Sequence, residues 1–167
     1  FLGQHLLTSQ NSWNKMKFKA HLILGFLFFY ISVKLFNISL INSAIIFLSS
    51  ILIDVDHYFW YVGATKDWNP FHAISWYKSW VPKWKSLNPQ EKDKFKRKIL
   101  IFHSLSFWIL IYTLSFINPI FIFVFIGIMI HICEDYIHFI YNKEKFYPKF
   151  SWIYTFKRNK NKKNLTD

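Results

Sequence analysis

The sequence has one cysteine, few acidic residues and no internal repeat, and these shortages narrow the possible classes of protein. Cys133 is the only cysteine, so an intramolecular disulfide is impossible and the redox compartment stays open. Nine Asp and Glu residues stand against 21 Lys and Arg, which gives a formal net charge of +12. We find no signal-peptide pattern with a small-residue cleavage site, and the missing initiator Met predicts that Phe1 follows a truncation or processing point.

Large apolar side chains are abundant instead. Hydrophobic residues make up 53% of the 167 positions and aromatic residues 22%, with 20 Phe and 8 Trp. A soluble core of this size has little room for so many large side chains, whereas helices that face lipid accommodate them. The composition therefore predicts an all-α, polytopic membrane protein.

Four apolar stretches predict a bundle of about four transmembrane helices within residues 19–141. The stretches run from about Ala20 to Leu35, Ile38 to Tyr61, Ile99 to Ile117 and Ile120 to Tyr141. Helices of ~17–25 residues fit a hydrocarbon layer of ~30 Å. The third and fourth stretches are separated at Pro119, because proline stops one helix and suits the first turn of the next.

The basic residues predict the orientation of this bundle. Three precede the first helix, nine lie between Lys66 and Lys98, eight lie between Lys143 and Lys163, and only Lys34 belongs to the opposite side. Because positively charged loops stay in the cytoplasm, both termini are predicted to be cytoplasmic in the inner membrane. The same rule, with attraction to anionic lipid head groups, explains the net charge without nucleic acid as a partner. Membrane lipids and other membrane subunits are the expected partners.

Three segments outside the spans are predicted from their composition. Residues 1–18 form a basic and polar N-terminal segment, and residues 142–167 form a basic cytoplasmic tail that we expect to be disordered from Lys157 to Lys163. The loop 62–98 is rich in Trp and Tyr, which favour the membrane interface, so we expect short interfacial helices separated by prolines. The prolines are Pro70, Pro82 and Pro89, and the lysines expected to bind head groups are Lys78, Lys83 and Lys85.

Ionisable residues inside the apolar stretches form the most informative pattern in the sequence. Each costs roughly 2.5–3.5 kcal/mol at the centre of a membrane helix, so its presence needs a reason. Five of the seven histidines and four of the nine acids lie within the predicted spans or at their ends: His21, His57, His103, His131, His138, Asp54, Asp56, Glu134 and Asp135. Four helices of alternating direction would bring these residues to the cytoplasmic side.

Their spacings suit metal ligation. His131, Asp135 and His138 fall at i, i+4 and i+7, on one stripe of a helix, and Asp54 and His57 fall at i and i+3. Imidazole and carboxylate together favour Zn, Mn or Fe. We therefore predict one or two divalent metal ions, with His138 and Glu134 as further candidates beside six ligands: His21, Asp54, His57, His103, His131 and Asp135. Glu134 lies off this stripe, and we expect it to pair with a lysine.

Asp54 and Asp56 are predicted to lie at the C-terminal end of the second helix. A helix C-terminus carries negative partial charge, so helix capping is a poor explanation for two acids there. Asp56 lies on another face than Asp54 and His57, which makes it a supporting or bridging group, or the general base. Two metals about 3.5–4 Å apart commonly hydrolyse phosphoesters by activating water. A phosphoester or another lipid-linked group at the cytoplasmic face is therefore the expected substrate.

At these residues the sequence resembles the YdjM-like family of membrane-bound metal-dependent hydrolases. The matching features are His21, the Asp54-Val-Asp56-His57 element, His103-Ser104 and His131-x-x-x-Asp135, whose order covers roughly residues 19–141. The resemblance implies a membrane-embedded metal site and a hydrolase. The chain has Ile53 where the family has a proline, Lys98 where it has a second histidine, and His138 where it has a small residue or Thr.

Three other functions remain open at this stage. A non-catalytic metal-binding subunit or assembly partner would have a closed coordination shell. A haem protein would use facing histidines and give Asp54 and Asp56 no role. An ion or proton carrier would need polar groups that continue to the outer face, where few are present.

Overall fold

The structure is a computed structural model that describes residues 20–141 and 151–165, without the side chains of His138, Phe139 and Tyr141. The predicted N-terminal segment 1–18 and the part of the tail at 142–150 lie outside the described residues. Eight helices are present in the described part: α1 Ala20–Lys34, α2 Leu40–Leu52, α3 Val55–Thr65, α4 Pro70–Ser86, α5 Pro89–Lys94, α6 Leu105–Leu114, α7 Ile120–Tyr141 and α8 Trp152–Asn159. The predicted all-α class is confirmed for these residues.

Two helical runs are long and apolar enough to cross a membrane. They are Leu40–Thr65, which comprises α2, a turn and α3, and Ile120–Ile137 within α7. The helices α1 and α6 are apolar but shorter. Helices therefore occur in all four predicted stretches, while a four-span topology stays a prediction.

The third predicted span is wrong in its first half. Helix α6 begins only at Leu105, because the preceding residues make other hydrogen bonds. The side chain of Asp56 accepts the Phe102 N–H at 3.1 Å, and the Ser104 hydroxyl donates to the Ile101 carbonyl at 2.5 Å. His103 consequently lies in the turn before α6 rather than one turn inside a helix.

The predicted end of the second helix is also corrected. Helix α2 ends at Leu52, and α3 begins at Val55 after two intervening residues, with Asp54 at its N-cap position. Asp54, Asp56 and His57 thus open a helix rather than close one. Acids are favourable there because a helix N-terminus carries positive partial charge. Asp54 nevertheless makes no side-chain capping hydrogen bond, so capping does not account for it.

The loop 62–98 contains one long helix where we expected several short ones. Asn69 caps α4, Pro70 occupies its first turn, and α4 continues through Pro82 for 17 residues. Trp76, Trp80 and Trp84 lie at i, i+4 and i+8, with ring centroids 5.8 and 5.2 Å apart. This stack joins the turns on either side of Pro82 and offsets the hydrogen bond that the proline removes. Pro89 does begin a new helix, α5, with a capping box between Asn88 and Glu91.

The tail prediction of disorder is wrong for Lys157 to Lys163. Helix α8 extends to Asn159, and its last residues hold the segment 92–97. Arg158 donates to the Phe95 carbonyl at 2.9 Å, and the Asn159 side chain bonds the backbone of Arg97 at 2.9 and 2.7 Å. These contacts order a stretch whose charge alone suggested a solvated tail.

The chain divides into two compact units. The described part of the first unit is residues 20–53 and 108–141, and that of the second is residues 54–107 and 151–165. In the first unit α2 packs against α7, and in the second α3 packs on α4. The core of the second unit contains Tyr61, Val62 and Ala73, with Trp76 and Tyr77 packed against them.

The helices of the first unit approach one another closely at two glycines. A Cβ atom at Gly127 of α7 would lie 2.8 Å from Ser49 Cβ and would collide with the Ile46 carbonyl of α2. A Cβ atom at Gly25 of α1 would lie 2.8 Å from Ser50 Oγ. Small residues that bring helix backbones together are typical of helices packed in a membrane.

Candidate metal centre

Three predicted ligands converge in the second unit. The Asp54 carboxylate oxygen Oδ1 lies 3.6 Å from His57 Nε2 and 3.5 Å from His103 Nε2. One ligand atom from each of the three residues lies within 4.8 Å of the other two. Ligand atoms bound to zinc at about 2.0–2.1 Å in a tetrahedron are roughly 3.3 Å apart. The spacing of these atoms therefore fits a single small divalent cation.

The local structure explains this convergence. Asp54 and His57 are three residues apart at the start of α3, where the His57 N–H donates to the Asp54 carbonyl at 3.0 Å. Side chains with this spacing share one face of a helix turn. His103 reaches them from the turn before α6, and its ring centroid lies 5.4 Å from that of His57.

Asp56 supports His103 from the opposite side. Its Oδ2 atom lies 3.0 Å from His103 Nδ1 and also accepts the Phe102 N–H, and the residue is only 4% exposed. The carboxylate favours a proton on Nδ1, so the lone pair of neutral His103 is on Nε2, the atom that faces Asp54. A carboxylate that orients a ligating histidine in this way is a regular feature of metal sites.

This arrangement places two acceptors opposite each other. With Nδ1 protonated, neutral His103 presents a lone pair to the Asp54 carboxylate at 3.5 Å. A cation between the two groups would bind both, as would a proton on Nε2. The donor set and its orientation thus fit a divalent metal ion, with His57 as the third ligand.

The centre is accessible from one side. The side chain of His103 is fully buried, while those of His57 and Asp54 are 30% and 34% exposed. Structural metal sites are closed by four protein ligands, and catalytic sites keep a position for water or substrate. Three convergent ligands with two partly exposed members resemble the catalytic arrangement.

Tyr77 of α4 is a further residue of this region that the sequence did not indicate. Its hydroxyl donates to the His57 carbonyl at 2.7 Å, and its ring centroid lies 6.1 Å from that of His57. Burial and then the charges of Asp56 and Asp54 raise the pKa of Tyr77, which keeps the hydroxyl a neutral donor. In the sequence Tyr77 is one of many interfacial aromatic residues, so no spacing singles it out.

Lys98 lies close to two aromatic rings of α4, and it is not among the lysines predicted to bind head groups. Lys98 Nζ is 4.5 Å from the centroid of Tyr77 and 4.8 Å from that of Trp80, within the range of cation–π interactions. The predicted head-group lysines Lys78, Lys83 and Lys85 are exposed on α4. Their binding to lipid stays a prediction.

The first unit holds a second group of ionisable side chains. His131 is fully buried, and its Nδ1 donates to the Ser50 carbonyl at 2.8 Å. Ser50 belongs to the last turn of α2, where carbonyls have no partner inside the helix. The His21 ring stacks on His131 with centroids 4.3 Å apart. Asp135 is buried one turn after His131.

Glu134 has a different partner from the one predicted. Its Oε2 atom pairs with His21 Nδ1 rather than with a lysine, because α1 and α7 bring the two buried groups together. The other oxygen, Oε1, is buried with no hydrogen-bond partner among the described residues. The side chain of His138 lies outside the described part of the structure.

The six predicted ligands therefore fall into two sets of three. Asp54, His57 and His103 meet in the second unit, and His21, His131 and Asp135 belong to the first. A single site that uses all six stays a prediction.

Comparison with known proteins adds no further assignment. Models of known protein families, curated proteins and solved structures give no match to this chain. The resemblance to the YdjM-like family therefore stays an expectation from the ordered motifs alone.

Proposed function

We propose that this protein is an integral membrane metal-dependent hydrolase. Its centre is formed by Asp54, His57 and His103, and its substrate is a phosphoester or another lipid-linked group at the cytoplasmic face. The observation that carries the proposal is the approach of two histidine nitrogens to 3.5–3.6 Å from one Asp54 oxygen, with His103 oriented by a buried carboxylate.

Each residue of the centre has a distinct role in this mechanism. Asp54 and His57 would hold a cation on the accessible side, and His103 would bind it from the buried side. A divalent metal would polarise a phosphoryl oxygen and lower the pKa of the attacking water. Asp56 accepts the Nδ1 proton of His103 through Oδ2 on the side away from Asp54 and so orients the ring, while its role as base or bridging ligand stays a prediction. Tyr77 fixes the backbone of His57.

A membrane location is supported by the two long apolar helical runs. Large apolar side chains are also widely exposed on the helices, including Phe26 at 60%, Ile41 at 73% and Phe116 at 76%. A soluble monomer rarely exposes so much apolar surface, whereas lipid covers it at no cost. The four-span topology with both termini in the cytoplasm rests on the distribution of Lys and Arg.

A non-catalytic metal-binding subunit is the second candidate function. The partial exposure of Asp54 and His57 favours the hydrolase, because a purely structural site would be enclosed. A coordination shell found to be complete with protein ligands alone would favour the second candidate.

Elemental analysis of the detergent-purified protein tests the proposal. We expect about one or two equivalents of Zn, Mn or Fe in the wild type, and a loss of metal in both Asp54→Ala and His103→Ala. His72→Ala is the matched control, since His72 is 67% exposed and bonds Asp67 at 2.8 Å outside the centre. A metal-loaded protein should then release phosphate or a head group from phospholipid or prenyl phosphate. A wild-type protein that takes up no metal after reconstitution would contradict the proposal.

A further inference from the structure

Helix α8 of the second unit exposes its apolar side chains and buries its polar ones. Ile153, Tyr154 and Phe156 are 47%, 63% and 62% exposed, whereas Thr155 and Asn159 are only 4% and 5% exposed. A helix on a surface in contact with water has the opposite arrangement, with its apolar side chains toward the core. The exposed side of α8 is therefore suited to an environment other than water.

Hydrogen bonds fix the polar side of α8 against the segment 92–97. Arg158 donates to the carbonyls of Phe95 and Lys92 at 2.9 and 3.2 Å, and the Asn159 amide donates to the Arg97 carbonyl at 2.7 Å. The helix does not turn over to bury its apolar side without breaking these bonds. Its outward direction is consequently a fixed property of the second unit.

The exposed side chains of α8 form one continuous surface. At about 100° per residue they fall within an arc of about 160°, which we call the α8 face. Its members are Ile153, Tyr154, Phe156, Lys157 and Lys160, all of which are exposed. The first turn of the helix supplies the apolar part of this face, and the last turn supplies the basic part.

The charge of the α8 face limits what covers it. Lys157 and Lys160 are exposed, and neither forms an ion pair with another described residue. Residues 151–165 contain five Lys and Arg and no Asp or Glu. A second copy of this chain would bring the same lysines against the face, and like charges in contact repel. An anionic surface is complementary to it.

A lipid bilayer combines that charge with an apolar layer. Aromatic side chains such as Tyr favour the membrane interface, and basic helices with an apolar face lie in it. Each lysine near an anionic leaflet strengthens the attraction roughly fivefold. The same chain has two helical runs long and apolar enough to cross a membrane, so a bilayer is the surface available to α8.

We propose that the α8 face lies in the head-group layer of an anionic membrane leaflet and anchors the second unit there. Ile153, Tyr154 and Phe156 contact the boundary of the acyl chains, and Lys157 and Lys160 contact lipid phosphates. The inference rests on the membrane location proposed above, and it requires neither a bound metal nor hydrolysis.

A spin label at Phe156→Cys tests the depth of α8 in the full chain. Cys133→Ala removes the only other cysteine, and the protein is placed in nanodiscs of phosphatidylglycerol and phosphatidylcholine. We expect the label to collide with oxygen, which concentrates in lipid, rather than with a nickel chelate, which stays in water. Gln90→Cys is the matched control, because Gln90 is exposed on the polar helix α5 and its label should meet the nickel chelate.

Neutralising the two lysines tests the role of charge. Lys157→Gln with Lys160→Gln should lower the ratio of membrane-bound to water-exposed α8 about 25-fold, since each lysine contributes roughly fivefold. Nanodiscs of phosphatidylcholine alone should expose the label of the unsubstituted helix in the same direction. Lys157→Arg with Lys160→Arg keeps the charge and should keep the depth.

Three results would overturn the proposal. They are a label at residue 156 that meets the nickel chelate as often as the label at residue 90, the same depth in neutral and anionic nanodiscs, and shielding that persists in detergent together with a dimer. A chain that inserts and binds metal but leaves the label in water would overturn this inference alone. A chain that does not enter nanodiscs would contradict the membrane location as well.

Discussion

The two units contain similar ionisable side chains but arrange them differently. In the first unit His131 donates to a helix-end carbonyl and His21 pairs with Glu134. In the second unit His57 and His103 present Nε2 atoms to one carboxylate oxygen of Asp54. The contrast separates two arrangements of the same residue type: in the first unit a ring nitrogen donates to a helix-end carbonyl, and in the second unit two ring nitrogens approach one carboxylate oxygen, a spacing that fits a bound cation.

Asp56→Asn should have the largest effect of the variants described here, and the quantity that it changes is the metal affinity of the second unit. The amide keeps the size of Asp56 but loses the charge that holds the proton on His103 Nδ1. Loss of such a supporting carboxylate lowers metal affinity about 10–100-fold. Competition with a chromogenic chelator measures the affinity. An unchanged affinity would show that Asp56 does not orient the ligand.

Gly127→Ala should destabilise the first unit by pushing α2 away from α7. The added methyl group meets Ser49 Cβ at 2.8 Å and the backbone of Ile46, so we expect a loss of about 1–3 kcal/mol in the free energy of unfolding. Gly63→Ala is the matched control, because a Cβ atom there meets nothing within 4 Å. Unfolding in mixed detergent micelles measures both, and equal stability of the two variants would contradict the close approach.

Tyr77→Phe should have a smaller effect on the metal centre. It removes one hydrogen bond to the His57 carbonyl, worth about 0.5–1.5 kcal/mol, and leaves every ligand in place. We expect metal affinity to fall several-fold with metal content unchanged at saturation. A loss as large as that of Asp56→Asn would mean that Tyr77 has a more direct role.

The smallest effect is expected at Asp67, which belongs to neither group of candidate ligands. Hydrogen bonds from Tyr61, the Asn69 N–H and His72 lower the pKa of Asp67 from 3.8 to about 2. A carboxylate with a lowered pKa stabilises the folded state at higher pH, and this contribution is lost as the pH falls from about 4 through about 2. Asp67→Asn should therefore reduce the pH dependence of stability in this window. An unchanged pH profile in the variant would contradict these contacts.

Sequence patterns predicted much of this molecule because periodicity and residue type are local. The fourth stretch coincides with α7, and the spacing of Asp54 and His57 correctly placed them on one face. The ordered positions of His and Asp predicted one site with six ligands, and three of these ligands, Asp54, His57 and His103, meet in the second unit.

Other features depend on contacts between distant residues, which one sequence does not reveal. The Asp56 carboxylate accepts the N–H of Phe102, 46 residues away, and the third helix therefore starts later than predicted. Pro82 fails to break α4 because the tryptophan stack stabilises it, and Arg158 orders a basic tail by bonding residues more than 60 positions earlier. Tyr77 approaches His57 through the packing of α4 on α3, and Lys98 lies over the Tyr77 ring.

X-ray absorption spectroscopy of the zinc-loaded protein tests the central claim most directly. The account predicts oxygen and nitrogen ligands at about 2.0–2.1 Å, with at least two imidazoles and no sulfur. It predicts that His103→Ala lowers the imidazole count or releases the metal, while His72→Ala changes nothing. Bound zinc with the same imidazole count in wild type and His103→Ala would contradict a metal centre at Asp54, His57 and His103.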